Sequence, residues 1–480
     1  MSDHTYPRDL VGYGRNAPHP HWPGNARIAV QFVINYEEGG ENCVLHGDAA
    51  SEAFLSEIVG AAPWPGQRHM NMESIYEYGS RAGYWRLWRM FTERHLPVTV
   101  FAVASALARY PEIVTSMKEA GWEIATHGLK WIDYRSLPAE QERADIHEAI
   151  RIQRDLTGER PLGFYQGRSS ENTTPLMMEE GGFLYTADAY ADELPYWITG
   201  PKGPQLTVPY TLDANDMRFA TPQGFNTGEQ FFTYLKDSFD TLYAEGDEAP
   251  KMLSIGLHCR LVGRPGRAAA LARFLDYVRS HDRVWVATRI DIARHWIRQH
   301  PPSGGYQPSK LPKALFVEVF GRVWEHSPWI AEATFDAGLS PHEDSAEGLH
   351  TAMAKAMRSC SRDQQRALLL AHPDLAGKLA AAKELTPEST FEQASAGLDR
   401  LTSDERARFT ALNEAYKARF GIPFIIAVKG LMKNEIAAAF EERLKSTPEQ
   451  EFLTALVQVE KIALLRLRDL LPAAEGPTAH

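Results

Sequence analysis

Residues 301 to 313 read Pro-Pro-Ser-Gly-Gly-Tyr-Gln-Pro-Ser-Lys-Leu-Pro-Lys, a density of breakers that neither a helix nor a strand tolerates. The run constrains the chain strongly, because the residues on its two sides follow different periodicities. Before it, short apolar, β-branched stretches recur at residues 27–35, 98–103, 123–126, 162–165, 184–187, 206–210, 252–257 and 284–288. Helical patterns separate several of them, as over 111–120 and 139–157. Strand and helix in alternation predict an α/β domain whose sheet closes into a β/α barrel. After the run, apolar residues recur at three and four, as in Phe440 and Leu444 and in Phe452, Leu456, Val459 and Ala463, while strand signals almost vanish. An all-α helical bundle is expected there. The predicted layout is a barrel domain over 1–302, a linker over 303–313, a bundle over 314–472 and a tail over 473–480. A chain of 480 residues exceeds what one core usually serves, which agrees with two domains.

Composition narrows the function classes. Apolar residues make up 44% and charged residues 24%, as in ordinary soluble proteins, and no apolar run approaches the length of a bilayer span. A formal net charge of −11 with no Lys/Arg-dense stretch argues against nucleic acid, whose binding rests on neutralised phosphates. The polar start, Met1-Ser2-Asp3-His4, carries no secretory pattern, and Cys43, Cys259 and Cys360 show no paired spacing. Cytoplasm is the expected location, and the tail lacks the Ser-Lys-Leu ending of peroxisomal proteins.

In a β/α barrel the chemistry collects where the strands end, so polar residues just past each apolar run are the candidates. The first run ends in Asn35-Tyr36-Glu37-Glu38, the third in His127-Gly128 and the fourth in Gln166-Gly167-Arg168. The fifth is followed by Asp188, the seventh by His258 and the last by Arg289. A single His at a strand end is as often structural as functional. Six polar groups on one rim point to a site.

Four stretches carry a resemblance: Asn35-Tyr-Glu-Glu-Gly-Gly-Glu41, Glu73-Ser-Ile-Tyr-Glu-Tyr-Gly-Ser-Arg-Ala-Gly83, Thr126-His-Gly-Leu-Lys-Trp-Ile-Asp-Tyr134 and Gly163-Phe-Tyr-Gln-Gly-Arg168. Through them, residues 1 to about 300 resemble the polysaccharide deacetylase superfamily, and more closely its branch of metal-independent allantoinases. Typical deacetylases hold a zinc-like cation with an Asp at the first strand's end and two His spaced by four. Here the aspartates are Glu37 and Glu38, and the position four after His127 is Trp131. One His and a longer carboxylate fall short of the three protein ligands of a catalytic zinc, so no metal and no cofactor are expected. The resemblance implies hydrolysis of a cyclic amide; without a metal, that chemistry calls for a carboxylate or imidazole to activate water, and we expect Glu37 or His127 as base and His258 as oxyanion donor or leaving-group acid. Arg168, Trp131, Asp188 and Arg289 are the candidate substrate contacts. A metal-dependent deacetylase, or a hydrolase of another cyclic amide or imide, is the alternative.

In the second half, His372 precedes Pro373, which ends the helix before it and leaves the imidazole at a break. Ser389, Glu392 and Gln393 share a helical face, although Ser389 with Glu392 also reads as a capping box. Arg466 falls on the apolar stripe of the last helix, where a guanidinium wants an anion, and Arg443 makes a weaker case of the same kind; snorkelling to solvent is the alternative for either. The stretches His372-Pro-Asp-Leu-Ala-Gly-Lys378, 389–398, 412–416 and Phe420-Gly-Ile-Pro-Phe-Ile-Ile-Ala-Val-Lys429 resemble the 2-oxo-4-hydroxy-4-carboxy-5-ureidoimidazoline (OHCU) decarboxylases. The resemblance implies His372 as catalytic histidine with Glu392 as its acidic partner, a pair suited to holding imidazolium near neutral pH. Pro373, Ser389, Gln393, Arg466, and the backbone of Phe424, Ile425, Ile426, Ala427 and Val428 would hold the substrate. OHCU decarboxylation yields (S)-allantoin, the substrate implied for the first half. The joint expectation is a bifunctional enzyme of small-molecule ureides, without nucleic-acid or membrane partners and assembled as a homo-oligomer.

Overall fold

The computed structural model describes residues 8–375 and 398–471, and the chain divides into two compact units, Met1–Pro302 and Ser303–His480. The first is organised around β1 (Ile28–Tyr36), which is buried at every position. Its near-continuous apolar run is what a parallel strand covered on both faces requires. On one edge β1 meets the later strand Lys251–His258, in parallel register from Ile28↔Lys251 to Asn35↔His258. Its other edge is shared: Val284–Val286 pairs with its beginning, and β2 (Thr99–Ala102) pairs with its end.

From β2 the sheet continues through β3 (Glu123–Thr126), β4 (Gly163–Phe164) and β5 (Tyr185–Thr186) to a hairpin of β6 (Tyr196–Gly200) and β7 (Gly203–Thr207). The strands Lys251–His258 and Val284–Val286 are β8 and β9. Pairing is parallel everywhere except within that hairpin. Between β7 and β8 no ladder forms among the described residues; a single bridge, Asn215↔Gly256, spans the gap. The result is the expected distorted β/α barrel, open along one seam.

Every strand predicted from sequence has a counterpart, and one was missed. β6 is only partly buried and ends in Gly200-Pro201-Lys202-Gly203, so it lacks the apolar run that marks its neighbours. Its partner β7 begins at Gly203, ahead of the predicted start at 206. The helix Ala139–Thr157 has the predicted bounds and stops at Gly158, whose φ of 89° only glycine adopts without strain.

Register fixes the rim. Tyr36 pairs with Ala102 and Ala102 with Thr126, while Asn35 pairs with His258. The ends of β1, β2, β3 and β8 therefore lie at one level, and Glu37, His127 and His258 follow from them onto the same opening.

Above this rim, the helices Met70–Tyr78 and Tyr84–Thr92 run on through a π-helical turn, Gly79–Gly83. A Cβ on Gly79 would lie 2.2 Å from Glu38 Oε1, and one on Gly83 would lie 2.0 Å from the Cys259 carbonyl oxygen. The two glycines let the helix approach both strand ends that carry the site.

In the second unit the described regular elements are all helical. They include Lys313–Phe320, Trp329–Asp336, Ala346–Ser359, Arg362–Leu370, Ser403–Phe420, Lys433–Arg443 and Pro448–Leu470. The predicted linker packs into this unit: Pro308 and Leu311 are buried, and Ser309 donates its N–H to Asp344 Oδ1 at 2.7 Å. No described helix is long and apolar enough to cross a membrane.

Because the Cys259 carbonyl belongs to backbone that cannot swing aside, Gly83→Ala should destabilise the first unit by about 1–3 kcal/mol, the usual cost of overpacking. Urea denaturation followed by tryptophan fluorescence measures this. An unchanged midpoint would show that the helix does not need the close approach.

Candidate active sites

In the first unit, the Glu37 carboxylate is the centre on which the other groups converge. Its Oε1 lies 3.4 Å from His127 Nε2 and 3.4 Å from His258 Nε2, and its Oε2 lies 2.7 Å from Arg260 Nη1. All four side chains are almost fully buried. His258 is fixed from behind by Asp216, whose Oδ1 sits 2.6 Å from Nδ1. Asp216 Oδ2 accepts the backbone N–H groups of His258 and Val262. Since a carboxylate accepts, His258 Nδ1 carries a hydrogen, and Nε2 is the nitrogen turned to Glu37.

Charge follows from this geometry. Burial alone would raise the Glu37 carboxyl, but the Arg260 guanidinium and the two imidazoles outweigh it and hold the group well below the usual carboxylate range. Burial would lower His258, yet the Glu37 and Asp216 carboxylates push it up to about 9. Glu38, buried beside Glu37, rises to about 7, with Arg260 opposing the rise. At neutral pH the site therefore places a carboxylate beside an imidazolium in a buried cluster, a base and an acid held side by side.

Asp216 and Arg260 were not among the sequence candidates. Asp216 lies in the 3-10 turn Asp216–Ala220, six residues past the run 206–210 instead of just after it, and Arg260 comes two residues after His258. A search along strand ends could have found the second, but nothing in the pattern marks the first.

The remaining candidates divide. Trp131 is buried on the rim, and the Arg168 guanidinium lies 5.0 Å from its ring and 3.3 Å from Glu52 Oε2. Asp188 accepts the Gln166 and Gly167 N–H groups at 2.7 Å each and the Ser169 hydroxyl at 2.9 Å, so it shapes the loop that carries Arg168. Arg289 departs from the expectation. It is wholly buried and donates to Gln31 Oε1, Ser254 Oγ and the Val208 and Pro209 carbonyls, beneath the level of Asn35 and His258. Its donors tie strands together across the open seam, and it does not join the rim cluster.

The donor set does not suit a divalent cation. Among the described residues no group of three metal-ligating side chains is arranged to hold one. The Glu37 oxygen left free by the imidazoles is engaged by Arg260.

In the second unit the helix Arg362–Leu370 ends before His372, as Pro373 predicts. His372 is buried and its Nδ1 lies 2.9 Å from the Leu368 carbonyl oxygen, so Nδ1 is the donor and Nε2 is left for chemistry. Burial pushes the imidazole down to about 4; Leu368 and Glu325 oppose the shift and Arg466 adds to it. Among the described groups, burial thus favours the neutral ring. Ser389, Glu392 and Gln393 lie outside the described residues.

Arg466 is buried on the helix Pro448–Leu470, with Nη1 3.0 Å from Glu325 Oε2. Glu325 sits in the turn before Trp329–Asp336 and has no periodic signal, so the sequence did not mark it. Arg443 donates to Glu451 Oε1 at 2.9 Å and to the Ile425 carbonyl at 2.6 Å, bracing the loop instead of pointing a free charge at a ligand. In that loop Phe424, Ile425 and Val428 are buried, Ile426 and Ala427 are partly exposed, and the Ala427 N–H reaches Gln458 Oε1 at 3.1 Å. Pro373 is partly exposed beside His372.

The value for His258 sets a pH dependence. Its folded value lies above the 6.5 of free imidazole, so the stability it contributes is complete below 6.5 and is lost as pH rises through about 9. An NMR titration of the His258 ring should find it charged at neutral pH, and Asp216→Asn should lower its midpoint. A midpoint near 6.5 in the unaltered protein would contradict the geometry.

Comparison with known proteins gives the same division of the chain. A polysaccharide deacetylase family model matches residues 71–180, and an OHCU decarboxylase model matches residues 309–468. A Schizosaccharomyces pombe protein whose name places it among the polysaccharide deacetylases is 41% identical over 314 residues, covering 61% of this chain and 98% of that protein. The crystal structure of PuuE allantoinase is 62% identical, with a TM-score of 0.62 over 62% of this chain and 99% of that one. The 2-oxo-4-hydroxy-4-carboxy-5-ureidoimidazoline decarboxylase of Haloferax volcanii is 44% identical over 163 residues, covering 34% of this chain and 93% of that enzyme. With relatives matched over nearly their whole length on each side, the chain belongs to the polysaccharide deacetylase family through its first unit and to the OHCU decarboxylase family through its second.

Proposed function

We propose that the chain is a bifunctional enzyme of ureide catabolism: its second unit decarboxylates OHCU to (S)-allantoin and its first unit hydrolyses allantoin to allantoate. The observation that carries this reading is the pairing itself. One unit matches an allantoinase over 99% of that chain, and the other matches a decarboxylase of OHCU over 93% of that enzyme. The two reactions are consecutive, because the product of one is the substrate of the other. We take the enzyme to be cytoplasmic and to work as a homo-oligomer on small-molecule ureides.

In the first unit, Glu37 is the base. It takes a proton from water, which adds to a ring carbonyl of the hydantoin. His258, held charged by Asp216, protonates the departing ring nitrogen as the C–N bond breaks. His127 orients the carboxylate from the other side, and Trp131, Arg168 and Asp188 shape the wall of the pocket. In the second unit, the electrons of the C–CO₂ bond pass into the adjacent ring C=N. No cofactor is needed for that step. His372 Nε2, which carries no hydrogen in the neutral ring, takes the proton of the substrate's ring hydroxyl as CO₂ leaves and returns it to one face of the adjacent ring carbon, while Arg466 and the 424–428 backbone orient the ring.

Single variants separate the two reactions. Glu37→Gln should slow allantoate formation by roughly 10²–10⁴-fold, the range for losing a general base, while CO₂ release from OHCU is unchanged. His372→Asn should abolish enzymatic CO₂ release and leave opening of supplied allantoin intact. Loss of both reactions in either variant, with the fold retained, would contradict the assignment of one reaction to each unit.

A further inference from the structure

The sequence departs from the metal-binding deacetylase pattern at two places, the Glu37-Glu38 pair and Trp131, and in the structure both places touch one side chain. Arg260 Nη1 lies 2.7 Å from Glu37 Oε2 and 3.7 Å from Glu38 Oε1, and the Arg260 N–H donates to Glu38 Oε1 at 3.2 Å. The guanidinium carbon stands 4.3 Å from the centre of the Tyr76 ring and 5.1 Å from that of Trp131. Nε is anchored on the Leu55 carbonyl at 2.9 Å. The residue is wholly buried, a setting that a cation occupies only when its charge is compensated.

We propose that Arg260 is the resident cation of this site: its guanidinium fills the role that a divalent ion fills in metal-binding members of the fold, and it is the reason the site works without one. The inference rests on the ring-opening reading of the first unit. Three features support it. An aromatic face stands where a metal site would have a second imidazole, and aromatic faces attract guanidinium. The carboxylates are one methylene longer than aspartate, which suits contact with a planar fork. Nη1 is taken up by Glu37, but Nη2 has no hydrogen-bond acceptor among the described residues, so the cation retains a donor for a ligand or a water.

Arg260 acts through Glu37 and is a positioning residue. It sets the carboxylate between His127 and His258 and keeps it anionic. A guanidinium cannot lose its charge at any working pH and cannot be removed by chelators. Arg264 and Arg267, which follow β8, pair with Glu57 in a separate ion-pair group.

The test uses the full-length chain after exhaustive chelation, with metal content measured directly. The unaltered protein should open allantoin while holding far less than one divalent ion per chain. Arg260→Ala should lose roughly 10²–10³-fold in kcat for ring opening, and added guanidinium ion should restore a large part of it. Zinc, cobalt or manganese should not. Arg260→Lys keeps the charge without the fork and should fall between the two. Near-UV circular dichroism reports whether each variant keeps the fold of the first unit.

The inference is overturned by stoichiometric metal in the unaltered protein whose removal stops ring opening. It is equally overturned by full activity in Arg260→Ala, or by folded Arg260→Ala and Arg260→Lys that guanidinium leaves inactive. An unaltered protein that opens no allantoin with or without metal would instead refute the underlying reading of the first unit, so the two failures are distinguishable.

Discussion

The contact between Glu37 and Arg260 is the constraint on which the first unit depends. Neither ion would be tolerated alone in so dry a place, since an unpaired buried charge costs several kcal/mol. Paired, they allow a carboxylate to stay ionised between two imidazoles, and that charge in turn raises His258 with the help of Asp216. The strand register delivers these groups to one level, and the glycine pair at 79 and 83 lets a helix close over them. The aromatic rings of Tyr76 and Trp131 complete the enclosure. Removing either Glu37 or Arg260 would leave the other charge buried without its partner.

The second unit solves a milder electrostatic problem by similar means. Its buried cation, Arg466, faces Glu325, and the imidazole of His372 lies in the field of both. Burial keeps that imidazole neutral, and the Leu368 carbonyl fixes which nitrogen is available. The decarboxylation has its electron sink in the substrate, so the protein needs orientation and one mobile proton. A rigid, uncharged imidazole with a single free nitrogen can take that proton from the substrate and return it to the ring.

How much of this was legible in the sequence depended on periodicity. β1 and β8 are long, buried runs, and the helix Ala139–Thr157 is a complete amphipathic pattern bounded by Pro and Gly, so all three could be read directly. β6 could not, because a half-exposed edge hairpin shows no apolar run. Glu37, His127 and His258 were found because catalytic groups follow strand ends. Arg289 followed a strand end too, yet its side chain turns into the barrel, and no linear pattern tells these directions apart. Asp216 and Glu325 lie in irregular turns, where a buried carboxylate looks like any solvated one until its partners are in place.

The most direct test of the account is a carbon NMR time course of freshly generated OHCU with the metal-stripped, full-length chain, observing allantoin and allantoate together. The account predicts that (S)-allantoin rises first and then gives way to allantoate without added metal. Accumulation that stops at (S)-allantoin, with allantoate appearing only after a divalent ion is supplied, would contradict it.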